Sequence, residues 1–246
     1  MALLFTAATA VTILSCASME TMGAVPMAGG WLLSGIWLPL CGQSWFETAA
    51  SFLGMWFVMM VAMMLPSLSP VLWHYRKASL EIGAKQPDGL AALAGAGYFA
   101  VWTGFGLVVF LLGAALAQIA VQFPSLSRLG PVAGALLALI AGLSQFTHWK
   151  ALLLADYGRL PNVLSARIGL LEAVRTGTAL GLRCCLSCIG PMAALTVSGL
   201  MDLRLMAGAT IALTAERLLP AATRIADAIG VAMAAAGLLL LVQALG

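Results

Sequence analysis

The chain has 246 residues, of which 62% are hydrophobic and only 9% are charged, and its mean hydropathy is +1.04. Charged residues at this level are too few to cover the surface of a soluble domain. The composition therefore predicts an integral membrane protein. The net charge of +3 is too small to indicate a nucleic-acid partner. The lipid bilayer is therefore the first partner that we expect.

Seven apolar runs have the length, or nearly the length, of the roughly 20 residues that a membrane-spanning helix needs. They lie at about 2–19, 49–73, 90–121, 130–155, 177–200, 203–219 and 224–245. No Lys or Arg precedes the first run, as it would in a cleaved signal peptide, so we expect a retained helix. The sequence predicts an all-α fold, a polytopic transmembrane helix bundle in one membrane domain over residues 1–246, with six spans if the first run does not cross.

The basic residues predict the orientation, because Lys and Arg near helix ends are retained on the cytoplasmic side. With seven spans, ten of the twelve Lys and Arg residues fall on one side, and Arg128 and Arg204 fall on the other. The N-terminus is therefore predicted to be cytoplasmic and the C-terminus periplasmic. The expected location is the inner membrane of a bacterium.

The segment at 20–48 lies outside the membrane in this topology. It carries Trp31, Trp37 and Trp45, and tryptophan is common at the level of the lipid headgroups. An interfacial or re-entrant segment is one interpretation, and a lid over an external mouth is the other. Cys16 and Cys41 face the same side and are candidates for a disulfide if that compartment is oxidising.

The second run is rich in methionine. Helical periodicity places Met55, Met59 and Met63 on one stripe and Met60 and Met64 on a neighbouring stripe. Methionine is a flexible residue that fills gaps between packed helices, but its thioether is also a soft metal ligand. Both interpretations stay open on this pattern alone.

The fourth run ends in a polar cluster formed by Gln145, Thr147, His148 and Lys150. Polar groups inside a span are either paired or functional. His148 is thus a candidate metal ligand or proton carrier, or else a hydrogen-bonded contact between helices. We expect Lys150 to extend to the cytoplasmic interface and to form an ion pair with Glu216 of a neighbouring helix.

The fifth run carries three of the five cysteines. At about 100° per residue, Cys184, Cys185, Cys188 and Met192 fall on one face of a helix. Soft thiolate and thioether sulfur favours Cu(I), and zinc is the weaker candidate because it requires binding by thiolates. Cysteine also packs well where helices touch, as a small apolar residue. Pro191 removes a backbone hydrogen bond, so we expect a kink or an opened carbonyl beside this face.

The second and fifth runs cross in opposite directions, which brings their sulfur groups to similar depths, with the thiols further inward.

Three stretches of the chain also resemble a known family, namely WFVMMVAMMLPSLSP, SQFTHWK, and CLSC followed by SGLMDLRLMAG and AERLLP. Together they resemble the bacterial predicted metal-binding integral membrane proteins, a domain of unknown function, over about residues 50–220. In the family pattern a second paired cysteine stands at Ile189 and a proline at His148. The resemblance implies a metal site, either rebuilt here with Cys184 and His148 or lost.

These patterns predict a membrane protein that binds copper as Cu(I) and moves it within the membrane or delivers it to a membrane or periplasmic metalloprotein. The predicted ligands are Cys184, Cys185, Cys188 and Met192, with Met59, Met60, Met63, Met64 and His148 as further candidates. The sequence has no P-loop and no aspartate suited to phosphorylation, which argues against ATP-driven pumping by this chain alone. An enzyme is the less favoured class. Two alternatives stay open: a membrane thiol-disulfide oxidoreductase that uses the Cys185 and Cys188 pair, and a non-catalytic accessory subunit of a larger membrane complex.

Overall fold

The computed structural model describes residues 5–12, 25–26, 32–33, 35–39, 42–156, 169–198, 202–219 and 221–245. Its helices are α1 (residues 5–12), α2 (Trp45–Glu81), α3 (Pro87–Gln122), α4 (Pro124–Ser127), α5 (Gly130–Ser144), α6 (His148–Asp156), α7 (Leu170–Ser198), α8 (Leu203–Leu218) and α9 (Ala222–Leu245). Two strands, β1 (Val25–Pro26) and β2 (Leu32–Leu33), pair antiparallel before a 3-10 turn at Gly35–Trp37. Apart from this short pair, the predicted all-α class is confirmed.

Four helices, α2, α3, α7 and α9, are long and apolar enough to cross a membrane. The bent pair of α5 and α6 is a fifth candidate span. Helix α8 has 16 residues, fewer than the roughly 20 that a full crossing needs. Of the first predicted run, only residues 5–12 are described. The described residues therefore supply four or five candidate spans.

The fourth predicted run is not the continuous helix that its hydropathy predicts. Helix α5 ends at Ser144, α6 begins at His148, and the two are bent by 59°. The hydroxyls of Ser144 and Thr147 donate to the carbonyls of Ala141 and Ser144, at 2.6 and 2.7 Å. Such local side-chain bonds compete with the regular helical pattern, and the intervening N–H groups bond three residues back instead of four. The polar cluster therefore forms a bend, and not the end of a straight span.

Helices α3 and α7 pack backbone to backbone. A Cβ atom on Gly177 would overlap the carbonyl of Ala94, and one on Gly97 would lie 2.7 Å from the carbonyl oxygen of Val174. Glycine at these positions allows an approach that any larger residue prevents, as is common where membrane helices touch. This close contact places Tyr98, the neighbour of Gly97, directly against α7.

Helix α2 also packs against α3. The fully buried Trp56 donates its indole N–H to the carbonyl of Trp102 at 3.0 Å. At the start of α2, Trp37 from the 3-10 turn packs on Phe52, with ring centroids 5.3 Å apart, and lies against Gly113 of α3. Part of the segment at 20–48 is thus folded onto the ends of α2 and α3.

Cys16, Cys41 and the disulfide predicted between them lie outside the described residues. Trp31 also lies outside the described residues.

Candidate metal site

The methionines of α2 and the cysteines of α7 meet in the buried core. Eight of the nine predicted ligands have side chains that are 6% exposed or less, namely Met59, Met60, Met63, Met64, Cys184, Cys185, Cys188 and Met192. All eight belong to one apolar cluster formed by α2, α3, α7 and α8. The prediction that the cysteines and Met192 share one buried face of their helix agrees with this arrangement.

Sulfur atoms of α2 and α7 are in direct proximity. Cys184 Sγ lies 4.0 Å from Met64 Sδ, and Cys188, one helical turn further along α7, is joined to Met64 through the guanidinium of Arg217, which contacts both sulfur atoms. With metal–sulfur bonds of about 2.3 Å, two sulfurs bound at a trigonal angle lie about 4.0 Å apart. The Cys184 to Met64 distance therefore matches the separation of two sulfur ligands around a three-coordinate soft metal ion. The sequence predicts similar depths for the two sulfur groups, and Cys184 and Met64 are the members of these groups that meet.

His148, the ninth candidate, is not brought to these sulfur atoms. Its side chain is exposed at the first residue of α6, whereas the eight sulfur-bearing side chains are buried. Within the described ranges, no three His, Cys, Asp or Glu side chains form a group that would hold a metal ion. A metal site here therefore depends on thioether sulfur in addition to the thiols.

Pro191 exposes a backbone acceptor beside the thiols. Because proline has no N–H, the carbonyl of Ser187, four residues earlier, lacks its usual helical donor. Lys150 Nζ donates to this carbonyl oxygen at 2.6 Å. The opened carbonyl expected from the sequence is present, and it ties α6 to α7.

Lys150 also forms the expected ion pair with Glu216 of α8, with Nζ 2.6 Å from Oε1. The two side chains are 6% and 1% exposed, so the expectation that Lys150 reaches the interface is wrong. The reason is that two acceptors on α7 and α8 hold the ammonium group inside the bundle. The second carboxylate oxygen, Oε2 of Glu216, has no hydrogen-bond partner among the described residues.

Arg217 is a site residue that the sequence reasoning missed. Its Nη1 donates to Met64 Sδ at 3.6 Å and to Ser67 Oγ at 3.1 Å. Its Nη2 donates to Ser187 Oγ at 3.3 Å and to Cys188 Sγ. The guanidinium thus bridges α2 and α7 and contacts both kinds of sulfur. The sequence feature that pointed to Arg217 is its position within an otherwise apolar run. A charged side chain inside such a run usually has a buried partner.

Tyr98 is the second residue that was missed. Its hydroxyl lies 2.8 Å from Cys184 Sγ, and its side chain is fully buried. The hydroxyl gives Cys184 a polar neighbour on the side of α3, while Met64 approaches from α2. Its place follows from the close packing at Gly97, which the sequence does not reveal.

Fold and site together define a helical protein with candidate membrane spans and a buried cluster of soft sulfur donors. A family model described as a copper chaperone, PpoB2, matches residues 53–240, and the chain belongs to this family. The match begins within α2 and ends within α9, so it includes both sulfur groups. No curated protein and no solved structure matches the chain.

Proposed function

We propose that this protein is a multi-pass copper chaperone of the bacterial inner membrane that holds Cu(I) inside its helix bundle. It delivers the ion to a membrane or periplasmic metalloprotein. The observation that carries the proposal is the 4.0 Å approach of Cys184 to Met64, with Cys188 one helical turn along α7 and in contact with the same guanidinium as Met64. Membership of a copper chaperone family supports the choice of metal. Copper is the cargo in this proposal and not a resident cofactor.

The proposed ligands are the thiolates of Cys184 and Cys188 and the thioether of Met64. Binding replaces two S–H bonds with two Cu–S bonds, releases two protons and transfers no electrons, and the thioether adds a third, neutral donor. Soft sulfur ligands of this kind select Cu(I). Structural Zn(II) sites take four thiolate or nitrogen ligands. The proposed ligand set contains only two thiols, those of Cys184 and Cys188, so zinc fits less well.

The other buried sulfurs are proposed to line the route by which the ion reaches or leaves this position. They are Cys185, Met192, Met59, Met60 and Met63, all in the same cluster. The four methionines among them carry neutral thioethers. A thioether contributes no charge to the complex, so it binds a soft ion weakly enough to release it to the next ligand. The exposed His148 is left out of the buried site.

The proposed topology is one domain with seven spans, a cytoplasmic N-terminus and a periplasmic C-terminus. The unequal distribution of Lys and Arg supports it. Alkaline phosphatase fused to the C-terminus should be active, and the same reporter fused in the loop between α2 and α3 should be inactive. The reverse pattern would refute this orientation.

Copper binding is tested on protein in nanodiscs by anaerobic competition with the Cu(I) chelator bicinchoninate. We expect one Cu(I) per chain in the wild type and loss of binding in the Cys184→Ser/Cys188→Ser double variant. Ile189→Ser is the control, because it introduces the same residue at an exposed position of the same helix, outside the buried sulfur cluster, and it should keep affinity within a few-fold. Substoichiometric Cu(I) in the wild type, or a double variant that binds like the wild type, would overturn the proposal.

The two alternative functions predict other results from the same variants. A thiol-disulfide oxidoreductase would form a trapped mixed disulfide with a partner when Cys185 or Cys188 alone is replaced. An accessory subunit would keep its activity and its complex with all three cysteines changed to serine.

A further inference from the structure

The guanidinium of Arg217 touches the proposed copper site directly. One of its terminal nitrogens donates to Met64 Sδ and the other to Cys188 Sγ, which are two of the three proposed ligands. The side chain is anchored at the same time by the hydroxyls of Ser67 on α2 and Ser187 on α7. The hydroxyls of Ser67 and Ser187 thus help to hold this cationic group at contact distance from the sulfur atoms.

A cation in this position acts differently on metal ions of different charge. Two thiolates with a monovalent ion form a complex of charge −1, whereas two thiolates with a divalent ion form a neutral complex. A hydrogen bond from a charged donor to sulfur is stronger when the acceptor carries net negative charge. The direct contact of the guanidinium with Cys188 Sγ therefore favours the −1 complex.

We propose that Arg217 is a specificity-determining residue that makes the site selective for monovalent soft metal ions over divalent ones. The inference rests on the proposed function, because it assumes that Cys184 and Cys188 are ligands. The role is one of charge selection, and Arg217 itself binds no metal. When Met64 Sδ binds the metal ion, Arg217 loses its hydrogen bond to this sulfur. The two serine hydroxyls then keep the guanidinium in place.

The test compares Ag⁺ with Cd²⁺, two soft ions of the same row that differ in charge and undergo no redox change in the assay. Affinities for both are measured by competition titration in nanodiscs for the wild type, Arg217→Gln and Arg217→Lys. Gln removes the charge but can still bond to the hydroxyls, whereas Lys keeps the charge. Wild-type protein labelled with [¹⁵N]arginine gives a second measurement that needs no loss of the arginine.

We expect Arg217→Gln to weaken Ag⁺ binding by roughly 100-fold while Cd²⁺ binding changes only a few-fold. This factor follows from a unit-charge interaction at about 4 Å at an effective dielectric constant near 20, reduced by relaxation. Arg217→Lys should recover most of the preference for Ag⁺. In the labelled wild type, Ag⁺ should shift the guanidinium resonance that Arg217→Lys removes, and Cd²⁺ should shift it less.

Equal losses for Ag⁺ and Cd²⁺ in Arg217→Gln would overturn the inference, since they would mean that Arg217 only supports the fold. If Arg217→Gln does not fold, equal shifts of the labelled resonance with both ions would overturn it. Either result leaves the proposed copper site standing if wild-type Ag⁺ binding still requires Cys184 and Cys188. Failure of the wild type to bind Cu(I) or Ag⁺ at all would instead reject the proposed function.

Discussion

Replacement of Lys150 tests whether a buried ion pair holds α6 to α8. The ammonium nitrogen lies 2.6 Å from Glu216 Oε1, and the side chains are 6% and 1% exposed. Lys150→Met leaves the carboxylate buried without its partner, and breaking such a pair costs about 3–5 kcal/mol of unfolding free energy. Glu216→Leu leaves the ammonium group buried and should cost a similar amount.

The double variant Lys150→Met/Glu216→Leu removes both charges together. It loses the hydrogen bond from Lys150 to the Ser187 carbonyl, which is worth about 1.5–3 kcal/mol because the donor is charged. It leaves no unpaired charge, so it should be more stable than either single variant. Apolar pairs of similar volume often replace buried ion pairs without loss.

The assay is SDS-induced unfolding of the purified protein in mixed micelles, with the four proteins compared as a double-mutant cycle. We expect a coupling energy of at least about 2 kcal/mol. Lys77→Met, at an exposed position of α2, is the control and should change stability by less than about 0.5 kcal/mol. Additive single effects, or a double variant less stable than both single variants, would refute the reasoning.

Three further variants test the packing and the site. Gly177→Ala should lower the midpoint of SDS unfolding, because its Cβ overlaps the Ala94 carbonyl, whereas Gly54→Ala, which has open space, should not. Met64→Leu should change stability by less than about 1.5 kcal/mol, because the volume is conserved, but should weaken Cu(I) binding about tenfold in the bicinchoninate titration, and unchanged affinity would exclude the thioether as a ligand. Tyr98→Phe should cost about 0.5–1.5 kcal/mol in the same unfolding assay through loss of the 2.8 Å contact with Cys184 Sγ, and no loss would mean that this contact adds nothing to stability.

Features that depend on one helix alone could be predicted from the sequence. The buried face of Cys184 and Cys188 follows from helical periodicity, and the free Ser187 carbonyl follows from the missing N–H of Pro191. The pair of Lys150 and Glu216 was also predictable, because two opposite charges inside apolar runs at one depth have strong reason to meet.

Apart from this pair of opposite charges, contacts that depend on the rotation of one helix against another could not be predicted. Glu216 and Arg217 are adjacent in sequence and therefore point about 100° apart on α8. One meets Lys150 and the other meets Met64 and Cys188, and the sequence does not say which neighbour each direction faces.

The bend between α5 and α6 was also missed, because hydropathy is averaged over a window and does not register two hydroxyls that bond to their own backbone. Ser144 and Thr147 make those bonds, and the Cβ of Gln145 packs closely against Gly230 of α9. The hydroxyls of the local sequence favour the bend, and the packing against α9 stabilises it.

The contact between Met64 and Cys184 joins residues that are 120 positions apart in the chain. Neither α2 nor α7 carries both atoms, so a fragment that contains one helix lacks half of the donor set. During synthesis, the donor set is complete only after α7 has been made and has docked on its earlier partner. The proposed copper binding therefore requires a finished bundle, and a truncated or misassembled chain lacks the complete set of proposed donors.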